Sequence, residues 1–149
     1  MRVTLDSNIL IYAVDNQAVT RHAAAADIVK RASQRDAILT LQSLCEFFHV
    51  ATRKMGLSVI NAEMAVDRWR AVFDVHSASE SCLIAAIDLV KRHGLSFWDA
   101  LLWATAREAG CNLLLSEDMH DGHTLGGVTC VNPFEPRNAV LIDSALPRV

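Results

Sequence analysis

The 149-residue chain lacks most of the features that would assign it at a glance. No apolar run approaches the ~18–20 residues a membrane span needs, because polar or charged residues interrupt every hydrophobic stretch. Positive charge is not in excess: 14 Lys and Arg face 17 Asp and Glu, a net charge of −3, which argues against a broad electrostatic surface for nucleic acid. The glycine patterns of phosphate loops and dinucleotide turns are missing, as are internal repeats, linkers and low-complexity segments. Cys45, Cys82, Cys111 and Cys130 have no paired spacing and sit in apolar contexts, which excludes a disulfide framework and reads as reduced core thiols of a cytoplasmic protein. The N-terminus opens as a strand, Arg2-Val3-Thr4-Leu5, with no signal-peptide pattern.

What is present is one domain's worth of patterned chain, 52% hydrophobic and 21% charged. Short apolar runs at 2–5, 37–41, 112–115 and 128–131 read as strands, with a further short strand at 73–76. Helical periodicity covers about 7–14, 20–33, 43–54, 58–72, 79–93 and 97–109, and Gly56, Gly94 and Gly110 stand where helices stop. In the fourth helix Ile60, Met64, Trp69 and Val72 are the expected buried positions. Strands alternating with helices predict an α/β fold, a mainly parallel sheet covered on both faces.

Four acids occupy places where carboxylates are costly. Asp6 follows Val3-Thr4-Leu5, Glu46 lies in Leu44-Cys45-Glu46-Phe47-Phe48, Asp99 in Phe97-Trp98-Asp99-Ala100-Leu101-Leu102, and Asp118 follows Leu113-Leu114-Leu115. A lone buried carboxylate costs several kcal/mol, and none of these windows contains a fixed cation. Asp6 and Asp118 fall just past strand ends, and Glu46 and Asp99 in first helical turns, which is the edge of an α/β sheet where ligands gather. Each acid alone has an ordinary explanation: Ser43-x-x-Glu46 and Ser96-x-x-Asp99 resemble capping boxes, and Asp6 and Asp118 suit caps or turns. Four at one edge point instead to a shared divalent cation. Setting them aside leaves 14 − 13 = +1 on the rest of the chain. Arg53-Lys54, Arg68, Arg70, Lys91-Arg92 and Arg107 then read as solvated helix faces.

Other constellations are weaker. His120-x-x-His123 with Asp121 has metal-like spacing but no third soft ligand nearby. Cys45 and His49, one helical turn apart, have no orienting third group. Trp98 and Trp103 stand in an apolar helix start and read as core. A phosphohydrolase of the haloacid-dehalogenase type would need a second aspartate two residues after Asp6, where Asn8 stands.

Taken in order, Asp6-Ser7-Asn8-Ile9-Leu10-Ile11-Tyr12, the isolated Glu46, Asp99-Ala100-Leu101-Leu102-Trp103-Ala104, Leu114-Leu115-Ser116-Glu117-Asp118 and Asn132-Pro133-Phe134 resemble the signature blocks of PIN-domain ribonucleases, in particular the VapC toxins of bacterial toxin–antitoxin pairs. The resemblance implies a PIN-like three-layer α/β/α sandwich over residues 1–134, with 135–149 a C-terminal tail outside the pattern. It implies a magnesium- or manganese-dependent endoribonuclease in which Asp6, Asp99 and Asp118 hold metal and Glu46 does so directly or through water. Asn8 and Ser116 match supporting positions. Glu117 and Asp121 flank Asp118, so the fourth ligand is open between them. The implied partners are RNA, a cognate antitoxin and a second copy in a homodimer. The same blocks are compatible with an RNA-processing PIN nuclease that is not a toxin.

Overall fold

A computed structural model describes residues 1–149. In chain order the elements are β1 (Val3–Leu5), α1 (Ser7–Val14), α2 (Val19–Ala32), β2 (Ala37–Thr40), α3 (Leu41–Arg53), α4 (Val59–Val72), β3 (Asp74–His76), α5 (Glu80–His93), α6 (Phe97–Glu108), β4 (Leu113–Leu115), β5 (Thr124–Leu125), β6 (Val128–Val131), a 3-10 turn at Pro136–Asn138 and α7 (Ala139–Ala145). The six strands form one sheet in the order β3-β2-β1-β4-β6-β5. All pairings are parallel except the β5–β6 hairpin.

Strand alternation sorts side chains into two layers. Val3, Leu5, Leu39, Leu113, Leu115 and Val131 face the larger core, which α1, α2, α3, α4 and α7 cover. Ile38, Leu114, Val128 and Cys130 face the other side, where α6 lays Leu102, Trp103 and Ala106 against them. Cys82 and Ala86 of α5 pack outside α6 on Ala100 and Ala104. A sheet buried on both faces needs near-continuous apolar strands, and Leu113-Leu114-Leu115 supplies one.

Several helix details depart from the sequence expectation. The third helix begins at Leu41, because Thr40 at the end of β2 accepts the Ser43 amide as its cap. Glu46 is therefore in the second turn, and Ser43-x-x-Glu46 is not a capping box. In α4 the buried residues are Ala62, Ala65 and Trp69, whereas Ile60, Met64 and Val72 are 72%, 56% and 54% exposed. Small alanines let α4 lie close against α3, and the Trp69 ring meets Phe47 edge-on at 4.7 Å; that contact fixes which face is buried. Trp98, expected in the core, is 63% exposed. Cys45 is also exposed, on the outer side of α3, while Cys82, Cys111 and Cys130 are buried; all four thiols are free. The two-residue strand β5 gave no sequence signal.

Residues past 134 pack on the body. Ile142, Ala145 and Leu146 join the larger core. Arg31, only 5% exposed, donates from Nε to the Leu146 carbonyl at 2.7 Å and from Nη2 to Asp143 Oδ1 at 2.7 Å, so α2 anchors the chain end. No helix is long and apolar enough to cross a membrane.

Candidate active site

Parallel pairing puts Leu5 of β1 beside Leu115 of β4. The next residue on each strand therefore emerges at the same sheet edge: the Asp6 amide donates to the Leu115 carbonyl at 2.9 Å, and the Ser116 amide to Val131 at 3.1 Å. This brings Asp6 and Ser116 together across 110 residues, and the Ser116 hydroxyl donates to Asp6 Oδ2 at 2.7 Å. Asp6 Oδ1 accepts the Ser7 amide at 2.7 Å, so this side chain also caps α1.

The other acids are tied in through short polar side chains. The Ser7 hydroxyl donates to Glu46 Oε2 at 2.9 Å. Gln42, one helical turn before Glu46, donates to Glu46 Oε1 at 2.8 Å and to the Trp98 carbonyl at 2.9 Å, which links α3 to the start of α6. Asn8 Nδ2 lies 3.1 Å from Asp118 Oδ2 and 3.3 Å from Ser116 Oγ. Its Oδ1 accepts the Glu117 amide at 3.4 Å. Ser96 caps α6 by accepting the Asp99 amide at 3.3 Å. The Asp99 carboxylate does not reach back to Ser96, so this is only half a capping box and its oxygens stay free. Asp99 and Asp118 line one cleft of about 190 Å³ with Ser96, Met119 and His120.

Electrostatically the site is an uncompensated cluster. None of Asp6, Glu46, Asp99 and Asp118 takes part in a salt bridge, although the chain forms nine such contacts elsewhere. Asp6 is 6% exposed. Burial pushes its pKa up to about 6 against the hydrogen bonds from Ser116 and Ser7, and the nearby charges of Glu46 and Asp99 add to the rise. The side chains do not close into a ready-made cage, since no three His, Cys, Asp or Glu groups stand near enough to hold one ion. The carboxylates of Asp6, Glu46 and Asp118 turn toward hydroxyl and amide donors instead, and that of Asp99 stays free. The donor set still fits a hard cation: magnesium takes oxygen ligands and keeps several waters, needing only one or two carboxylates from protein.

The acids flanking Asp118 are claimed by arginines. Glu117 pairs with Arg21 at 3.2 Å. Asp121 pairs with Arg137 and accepts the Asn132 amide at 2.9 Å. Although burial pushes Asp121 up, these donors and Asn138 hold its carboxyl below the usual range. His123 lies edge-on to Trp103 at 5.7 Å, and with Asp121 committed elsewhere the two histidines form no metal group. Cys45 and His49 lie exposed on α3, away from any third partner. Burial pushes the Cys111 and Cys130 thiols up to about 12, which leaves them inert. Sequence reasoning missed Ser7 and Gln42. The i, i+4 spacing of Gln42 to Glu46 was the available signal for the second.

The family model described as PIN domain matches residues 3–120, so the chain belongs to the PIN domain family. Among solved structures, a toxin–antitoxin complex from Klebsiella pneumoniae superposes with TM-score 0.65 at 21% identity, covering 89% of this chain and 98% of that one. VapC20 of Mycobacterium tuberculosis, described as a sarcin-ricin loop cleaving toxin, gives 0.62 at 20% identity over 75% and 86%. VapBC2 from Rickettsia felis, bound to a promoter DNA fragment, gives 0.60 at 16% identity over 79% and 89%. At these identities the likeness is one of fold. None of the curated proteins matches the sequence.

Proposed function

We propose that the chain is a divalent-metal-dependent endoribonuclease acting as the toxin of a toxin–antitoxin pair. The observation that carries the nuclease reading is the set of four acids at one sheet edge with no cationic partner among them. Asp6, Asp99 and Asp118 would hold Mg²⁺ or Mn²⁺, with Glu46 acting directly or through water. When bound, the ion supplies charge neutralisation at the phosphodiester and a more acidic water. Ser116 and the Ser7 amide fix both oxygens of Asp6, and burial keeps that carboxylate poorly hydrated and ready for a cation. Ser7 and Gln42 hold the Glu46 carboxylate from both sides. Asn8 keeps Asp118 turned toward the same edge.

The toxin reading is supported by a groove of about 400 Å³ between α1, α2 and α4, lined by Val14, Ala26, Val29, Trp69 and Val72, with Lys30 and Arg68 among its residues. An amphipathic antitoxin helix with acidic flanks suits such a surface. The relatives include toxin–antitoxin complexes. Exposed Phe48 on α3 and Leu83, Ile84 and Ile87 on α5 support self-association as a homodimer.

The test is cleavage of single-stranded RNA by purified protein with Mn²⁺ or Mg²⁺, with chelator and Asp99→Asn as controls. Cleavage that persists in chelator, or that Asp99→Asn leaves intact, refutes the metal-site reading. Co-expression with the product of the adjacent reading frame tests the partner. If RNA is cleaved but no such protein binds and inhibits, a non-toxin RNA-processing nuclease is the better description.

A further inference from the structure

Asp118 sits in an irregular loop between β4 and β5, exposed and without a salt bridge. Its direct holds are modest, a 3.1 Å bond from Asn8 and a 3.3 Å bond from its own amide to Ser116. Three residues on, Asp121 is the most heavily bonded carboxylate in the chain. Oδ1 accepts the Asn132 amide and Asn138 Nδ2, both at 2.9 Å. Oδ2 accepts Asn138 Nδ2 at 3.1 Å and Arg137 Nε at 3.1 Å. Asn138 closes the knot by donating to the Asn132 carbonyl at 2.8 Å. Arg137 and Asn138 belong to the 3-10 turn that leads into α7, whose far end Arg31 anchors in the larger core.

We infer that Asp121 is a positioning residue, through which Arg137 and Asn138 of the C-terminal segment hold the Asp118 loop against the site. The inference rests on the reading of Asp118 as a metal-binding acid, and it gives residues 136–138 a role in that site. A carboxylate three residues from a ligand, held by four donor atoms of Asn132, Arg137 and Asn138, limits how far the loop can swing. Outer groups of this kind orient ligands, and their loss typically weakens metal affinity by about 10–100-fold. Glu117 with Arg21 restrains the loop from its other side; Arg21 also stacks over Phe134, 4.8 Å from the ring centroid. Asp118 is thereby the one acid of the loop without an arginine.

The test uses Asp121→Ala, the conservative Asp121→Asn, and the milder Asn138→Ala and Arg137→Ala in the full chain. The reporters are the Glu117 and Asp118 amides, whose acceptors are the side chains of Asn8 and Ser116. In metal-free protein, exchange at these amides should accelerate about tenfold or more in Asp121→Ala and Asn138→Ala, and less in Asp121→Asn, with β4 and α6 unchanged. Mn²⁺ affinity by titration calorimetry should fall about tenfold in Asp121→Ala, and no further when that change is added to Asp118→Asn. Unchanged exchange at the two amides, or equal acceleration across the domain with wild-type Mn²⁺ affinity, overturns the inference. If the wild type binds no Mn²⁺, the nuclease reading fails, and exchange alone still decides whether Asp121 positions the loop.

Discussion

Replacing Asp6 with asparagine is expected to stabilise the metal-free protein at neutral pH. The Asp6 pKa is raised from 3.8 to about 6, chiefly by burial. A carboxyl raised in the folded state binds its proton more tightly there than in the unfolded chain. Its contribution is therefore fully present below about pH 4, and it is lost as pH rises through about 6. A shift of about two units corresponds to roughly 3 kcal/mol of lost stability once Asp6 is ionised. Asparagine removes that penalty and keeps Oδ1 as acceptor for the Ser7 amide, so the cap of α1 survives. Its Nδ2 meets Ser116 in place of an oxygen, and repairing that bond costs about 1 kcal/mol. The net gain of about 2 kcal/mol should raise the melting temperature of a domain this size by roughly 4–8 °C at pH 8 in chelator. The gain should vanish on acidification and turn into a loss of up to about 1 kcal/mol near pH 4 and below, where only the cost of the altered Ser116 bond remains. Added Mn²⁺ should reverse the ranking, because a site at 100 times its dissociation constant adds about 2.7 kcal/mol to the wild type and less to the variant. Paired melts of both proteins across pH 4–8, with chelator and with Mn²⁺, measure all three effects. An asparagine variant that melts below wild type at pH 8 in chelator would refute the idea that Asp6 is a strained, uncompensated charge.

Asp99→Asn should abolish RNA cleavage yet leave the metal-free melt within about 1 kcal/mol of wild type, since the cap bond runs from the Asp99 amide to Ser96 and not through the carboxylate; an unfolded variant would mark Asp99 as structural. Arg31→Ala should lower stability by about 2–3 kcal/mol in a denaturant titration, because the buried Leu146 carbonyl loses its donor and Asp143 its partner, while the Ile142 carbonyl keeps the Leu146 amide; a cost below about 0.5 kcal/mol would show that α7 holds without it. Val72→Glu, at a half-exposed position in the α1–α2–α4 groove, should abolish antitoxin capture in co-expression while leaving RNA cleavage and the melt near wild type; undiminished capture would place the partner elsewhere.

The layered α/β architecture was legible because apolar strands and glycine-stopped helices each carry their own local signal. Which helix face is buried was not. In α4 the large residues Ile60, Met64 and Val72 advertised a core face, but Ala62 and Ala65 won because close helix packing needs small side chains beneath Trp69. Trp98 misled for a related reason. It shares the apolar start of α6 with Ala100 and Leu102, yet Leu102 packs toward the sheet and Ala100 against α5, and the indole is left outside. Hydropathy reports that a residue prefers burial, not that a surface is available to bury it.

The acid cluster was legible on different grounds. Hydropathy windows mark Asp6, Glu46, Asp99 and Asp118 as carboxylates in apolar sequence without a visible partner, which is a local property, although only Asp6 is buried, Glu46 and Asp99 are half-buried and Asp118 is exposed. The division of labour within the last loop was not local. Glu117, Asp118 and Asp121 are equivalent as letters, and only the distant arrival of Arg21 and Arg137 separates them. An arginine 96 residues before Glu117 and another 16 after Asp121 reach the loop only through the tertiary fold. With those two carboxylates paired, Asp118 is the loop's single unmatched charge, which is where the proposed divalent ion would meet it. On the proposed role, an exposed Asp118 would be placed by its paired neighbours rather than by its own burial.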